Sequence, residues 1–207
     1  MRITSQAKAA TGQRILQSAA ELLRTAGWED TTTREIAASA GIANGTLFNY
    51  FPCKEAIVAA LIAQALESAD LEFVDRDRDD TSLEEDLFSL IWGGLKSLRE
   101  YRDFLAPAAE SIFSRLAQFS AEKTGDAIRT HHLGMVEDLV SEHGGTTPLP
   151  AVLLQLYWTL YLGVFAFWAA DRSPNQEDTL ALLDQSLKLV VPSLLQKDPI
   201  ATTERKS

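Results

Sequence analysis

The chain has 207 residues, 46% of them apolar and 23% charged, enough apolar material for one or two buried cores. Its single cysteine, Cys53, excludes an internal disulfide framework and a cysteine-based metal cluster. The net charge of −10 argues against broad electrostatic binding of nucleic acid, but residues 1–56 alone balance at +1 and the remainder at −11.

The apolar pattern is helical almost throughout, without strand-like alternation or a repeat of fixed period. A first helix is predicted from Thr11 to Ala26, with Ile15, Ala19, Leu22 and Leu23 forming one apolar stripe. Gly27 ends it, and Trp28 is expected to tuck back beneath the helices. Thr32 and Glu35 have capping-box spacing, so a second helix should begin at Thr33 and bury Ile36, Ala37 and Ala40. Gly41 supplies the positive φ of a tight turn, and a third helix opens at Ala43 or Asn44.

This third helix carries the functional argument. With Gly45 set at zero and roughly 100° per residue, Leu47 and Phe51 fall on one side. Gly45, Thr46 and Asn49 fall opposite, flanked by Phe48 and Tyr50. A face that is small and polar at its centre lets the backbone approach base edges, while flanking groups brace phosphates. Asn49 has the amide that pairs with adenine, and Thr46 can meet a thymine methyl. Lys54, just past the turn, is positioned to neutralise a phosphate, and Arg34 to reach a base edge or a phosphate. With a local balance of only +1, nonspecific DNA affinity should be weak and very salt-sensitive.

A fourth helix is predicted from Pro52 to Val74, followed by the charge run of residues 75–80 as a loop. Ser82 and Glu85 form a second capping box, opening a helix that reaches about Arg99. A short helix over 107–114 and a longer one from Phe119 to Ser141 follow, the latter stopping at Gly144-Gly145. The stretch 150–170 is apolar enough to raise a membrane question. Gln155, Thr159, Tyr157 and Tyr161 interrupt it and no basic cluster flanks it, so a helix buried all round in a soluble oligomer is the better reading. Residues 171–174 cap a last helix that runs to about Leu195, where Leu180, Leu183, Leu187, Val190 and Leu194 form a packing seam. No apolar leader opens the chain, which points to the cytoplasm.

TTTREIAASAGIANGTLFNYFPCKEAI resembles the DNA-binding domain of the TetR family of bacterial transcriptional regulators. The resemblance covers Arg14 to about Leu61 without a gap. It includes Ala19, Leu22, Gly27, Thr32, Ile36, Ala37, Ala40-Gly41, Gly45-Thr46-Leu47, Tyr50-Phe51 and Lys54-Glu55. It implies an all-α protein of about nine helices. A three-helix DNA-binding domain with a helix-turn-helix would occupy 1–53, a helical ligand-binding and dimerisation domain 54–198, and a disordered tail 199–207. It implies a homodimer on a palindromic operator in double-stranded DNA, released by a small apolar or aromatic effector. The DNA-contacting set would be Thr32, Thr33, Arg34, Asn44, Gly45, Thr46, Phe48, Asn49, Tyr50 and Lys54. Phe48 stands where the family often has a phosphate-binding tyrosine, and Ala43 where a serine or threonine is common, so two hydroxyl contacts are missing.

An effector pocket among the middle helices is expected to draw on Phe88, Trp92, Phe104, Glu110, Phe113, Met135, Trp158 and Phe165, each also suited to plain core packing. The Gly93-Gly94 pair suggests a kink or close backbone approach beside it. The family's four-helix dimer would use Leu160 and Phe167 with the seam residues Leu180, Leu183, Leu187, Val190 and Leu194. No metal site is expected: His132 and His143 share a helical face but lie about 16 Å apart, and His131 points elsewhere. Cys53, at a helix start, reads as a turn residue rather than a redox switch. Two rivals remain. A helical small-molecule carrier without DNA function is favoured only by the missing hydroxyls. An enzyme is favoured by no nucleophile–base pair, phosphate loop or cofactor motif.

Overall fold

The computed structural model describes residues 5–76, 78, 80–105 and 123–195. Among them the chain is all-helical: α1 (Ser5–Asp30), α2 (Thr33–Ser39), α3 (Asn44–Leu47), α4 (Lys54–Val74), α5 (Leu83–Ser97), α6 (Lys123–Glu142), α7 (Ala151–Ala170) and α8 (Glu177–Leu194). Two 3-10 turns, Arg99–Tyr101 and Pro174–Gln176, complete the described elements. The short helix predicted over 107–114, with Glu110 and Phe113, lies outside the described residues, as does the tail 199–207.

The chain forms two compact units: residues 1–71 with 94–128, and residues 72–93 with 129–207. In the first, α1 begins earlier than its apolar stripe requires and breaks at Gly27, whose φ of 84° is open to glycine. The break turns Trp28 inward to 6% exposure. Its core gathers Ile15, Leu23, Ile36, Leu47, Ile57, Leu98 and Phe104. The Gly93-Gly94 pair does not interrupt α5. Gly94 answers to packing: a Cβ there would lie 3.0 Å from Leu66 Cδ2 of α4, whereas Gly93 faces no atom within 4 Å.

In the second unit α7 packs on α8. The link between them is set by Asp171, 6% exposed, whose carboxylate accepts bonds from Ser173 N (2.7 Å), Thr179 N (3.1 Å) and Thr179 Oγ1 (2.6 Å). Burial works against that charge, and the bonds from Thr179 and Ser173 outweigh it, holding the carboxyl well below the usual carboxylate range. A second knot centres on Asp86, which Thr81 Oγ1 (2.9 Å) and His143 Nε2 (2.8 Å) reach, while Arg78 spans to Glu142 at 2.9 Å.

One expectation needs correction here. The seam Leu183, Leu187, Val190 and Leu194 is at most 4% exposed within the single chain, so α7 and its own core consume it rather than a partner. A stripe at helical spacing reports burial, not which molecule provides it. Leu160 and Leu180 are half-buried, and Phe167 alone of the seven is substantially open at 43%. Within the single chain α7 buries one face. Tyr157, Trp158, Tyr161, Val164, Phe165, Trp168 and Ala169 face inward, while Val152 (76%) and Leu156 (59%) stand in the open.

Candidate nucleic-acid interface

The reading element is assembled by short-range bonds. Glu35 N donates to Thr32 Oγ1 (3.2 Å), and Thr32 N donates back to Glu35 Oε2 (2.8 Å), closing the capping box of α2. Thr32 Oγ1 also donates to Glu35 Oε2 (2.8 Å), and this bond, with the one from Thr32 N, holds the Glu35 carboxyl below its ordinary range. Gly41, at φ 68°, turns the chain, and Ile42 N bonds to Ala37 O at 3.0 Å. The third helix is regular only over Asn44–Leu47 and tightens afterwards, with Asn49 N bonding Thr46 O (3.1 Å) and Tyr50 N bonding Leu47 O (2.9 Å).

This segment places its side chains by burial. Leu47 is fully buried and anchors it; Phe51 is only half-buried. Asn44, Gly45 and Asn49 are exposed, Phe48 is 46% exposed, and Thr46 and Tyr50 are half-buried. Tyr50 leans on α1, where a Cβ at Gly12 would sit 3.8 Å from its ring. Arg34 is exposed and Thr33 half-buried on the first turn of α2. The face bearing Gly45 and Asn49 is therefore bare and can approach base edges, with Phe48 at its rim.

Two of the expected contacts are placed differently. Thr32 has its hydroxyl and its N–H committed to the capping box. Lys54 donates from Nζ to Trp28 O and, at 2.8 Å, to Thr31 O, and its ammonium lies 4.0 Å from the Trp28 ring centroid. Burial lowers its pKa, partly offset by Glu29, Glu55 and Glu35. Lys54 is thus a clamp joining the start of α4 to the break after α1. Nothing local in the sequence announces it, because its partners lie 23 and 26 residues away.

Of the residues expected to line an effector pocket, Phe104 (1% exposed) belongs to the first unit. Trp158 and Phe165 (7% each) with half-buried Phe88, Trp92 and Met135 belong to the second. The structure adds residues that were missed. His132 Nε2 lies 3.1 Å from Tyr157 Oη, and its ring is 4.3 Å from that of Tyr161, which stacks on Trp158 at 5.2 Å. Burial, with a smaller push from His131, takes His132 down to about 3, so it is neutral at physiological pH. Burial likewise raises the Tyr157 phenol. The spacing of Tyr157 and Tyr161, four apart around Trp158, was the available signal.

Comparison with known proteins bears on this geometry. Residues 15–61 match the family described as "Bacterial regulatory proteins, tetR family". Residues 87–203 match the domain described as "Tetracyclin repressor-like, C-terminal domain". The uncharacterized HTH-type transcriptional regulator YvkB of Bacillus subtilis (strain 168) is 43% identical over 54 residues, 26% of this chain but only 29% of that protein. The TetR family repressor FadR of Thermus thermophilus, solved in complex with lauroyl-CoA, superposes with a TM-score of 0.64 at 21% identity, covering 92% of this chain and 98% of that one. LfrR of Mycobacterium smegmatis, solved with proflavine, does so with 0.54 at 16% identity, covering 89% and 97%. At such identities the solved structures establish the fold, and the two domain matches establish the family. The chain belongs to the tetR family of bacterial regulatory proteins, as a helix-turn-helix transcriptional regulator with a helical C-terminal domain.

Proposed function

We propose that the protein is a ligand-responsive repressor, working as a homodimer in the cytoplasm on a palindromic operator in double-stranded DNA. The observation that carries this reading is the third helix: Leu47 is sealed in the core while Gly45 and Asn49 stay bare. Residues 1–53 serve as the reading domain and 54–198 as the sensing and pairing domain, with 199–207 a tail. Val152 and Leu156 on α7, Phe167 further along it, and Leu189 (81% exposed) on α8 form apolar surface that a second copy would cover. Packing within the chain leaves this surface, not the inward seam, for the partner.

The effector is a small apolar or aromatic molecule seated beside Trp158, Tyr161 and Phe165. Support comes from the aromatic density there and from relatives of the same fold solved with lauroyl-CoA and with proflavine. Occupancy would alter the separation of the two reading helices, which must match successive major grooves about 34–36 Å apart. A gel-shift titration against the DNA upstream of the gene tests the switch. Retarded DNA should be released by the molecule that copurifies with the protein. An operator bound equally with and without that molecule overturns ligand control, and an upstream region that is not bound at all overturns the repressor reading. No cofactor and no catalysis enter this function.

A further inference from the structure

The first compact unit contains a cleft of about 340 Å³ walled by α1, α4, the end of α5 and the Arg99–Tyr101 turn. DNA reading makes no use of it. Its floor is apolar, with Leu16 at 8% and Leu61 at 3% exposure. Gln13 and Gln17, one helical turn apart on α1, face it together with Gln64 of α4. None of these three side-chain amides bonds another described residue. At the far end stand Glu100 and Tyr101. Burial first, and the neighbouring Glu100 charge next, raise the pKa of the phenol. The Tyr101 ring is held against Phe104, with centroids 5.6 Å apart. The lining carries one carboxylate and, among the described residues, no cation.

We propose that this cleft binds a small protonated amine bearing hydroxyl groups, an amino alcohol or amino sugar, and thereby ties α1 to α4. The pairing of a carboxylate with an aromatic face selects a cation over a neutral or anionic ligand. Three amides offer both donors and acceptors, which suits hydroxyls on either side of the amine. The leucine floor takes the carbon skeleton, and the volume falls within the range of about 300–1,000 Å³ common to small-molecule sites. Gln13 follows Gly12, the residue that abuts Tyr50 of the reading segment, so an occupant acts on the helix that braces the DNA-facing surface. This site is separate from the aromatic cluster and does not depend on the effector assigned to it.

The test uses the full-length chain with D-glucosamine as the probe, and glucose and N-acetylglucosamine as neutral counterparts, read by thermal unfolding and titration calorimetry. Glucosamine should raise Tm with saturation while the neutral sugars leave it unchanged, and Glu100→Gln should weaken glucosamine binding about tenfold or more. Should Glu100→Gln fail to fold, the double substitution Gln13→Leu with Gln64→Leu, both at exposed positions, carries the same comparison and should also weaken binding about tenfold. No saturable binding of glucosamine at millimolar concentration overturns the proposal. So does equal binding of the neutral sugars, or affinity retained in the variants.

Discussion

Replacing Lys54 by Met separates two roles that its position in the chain cannot distinguish. If Lys54 is the clamp described here, the substitution removes two charge-assisted bonds, to Trp28 O and Thr31 O, and the contact with the Trp28 ring. Hydrogen bonds to charged groups are worth about 1.5–3 kcal/mol each when buried, and a partly exposed cation over an aromatic ring about 0.5–1 kcal/mol. Lys54 is only half-buried, so the low end applies, and the methionine stem keeps the packing against Trp28. The net loss is roughly 3 kcal/mol, which lowers Tm by about 6–12 °C in a chain of this size. Operator affinity of the folded variant, followed by fluorescence anisotropy across a salt series, should keep the wild-type slope of log K against log salt. A phosphate-binding lysine behaves oppositely: the slope shrinks by about 0.9 per lost contact while Tm stays put. That second pattern would refute the clamp.

Other substitutions test other joints of the argument. Asn49→Ala should cost roughly 1–3 kcal/mol of operator binding, about 5- to 150-fold by gel shift, and relax preference at one base position, with unchanged Tm. Asp171→Asn should cost about 1–3 kcal/mol of stability at neutral pH by weakening the bonds from Ser173 and Thr179. Because the folded carboxyl is held below its unfolded value of about 3.9, its contribution is complete above that pH and is lost as pH falls through the lower folded value. Denaturant melts should therefore show the variant and wild type converging in acid, and a gap that persists in strong acid contradicts the assignment. Leu156→Glu with Leu189→Glu should convert the proposed dimer to monomer in light scattering. An uncompensated buried carboxylate costs about 3–5 kcal/mol, at least a hundredfold in dimer Kd, whereas the inward seam predicts no effect.

What the sequence disclosed and what it withheld divide along the range of the interactions. The two capping boxes, Thr32 with Glu35 and Ser82 with Glu85, are written within four residues and are present as read. The turn at Gly41 and the inward Leu47 follow equally from local geometry. Residues whose partners are remote could not be placed from the sequence. Lys54 looked like a phosphate contact because its carbonyl partners belong to the other side of the hairpin. The seam of α8 looked like a dimer face because periodicity cannot name the molecule that covers it, and α7 of the same chain does. His132 was weighed as a metal ligand from its neighbours in sequence, while its true neighbours, Tyr157 and Tyr161, are on another helix.

The clamp also changes the electrostatic expectation for DNA binding. Within residues 5–56 the basic side chains are Lys8, Arg14, Arg24, Arg34 and Lys54. Arg24 is paired with Glu21 at 2.7 Å, and Lys54 is turned toward carbonyls. Phosphate neutralisation among the described residues then falls on Lys8, Arg14 and Arg34 and on backbone N–H groups. Each cation that meets a phosphate contributes about −0.9 to the salt slope, so each reading domain supplies about −2.7 at most. The strong salt sensitivity expected from the residue count is thereby reduced, and specific binding must lean on the close fit of Gly45, Thr46 and Asn49 to base edges. A measured slope steeper than about −6 for a dimer would require cations that these residues do not provide.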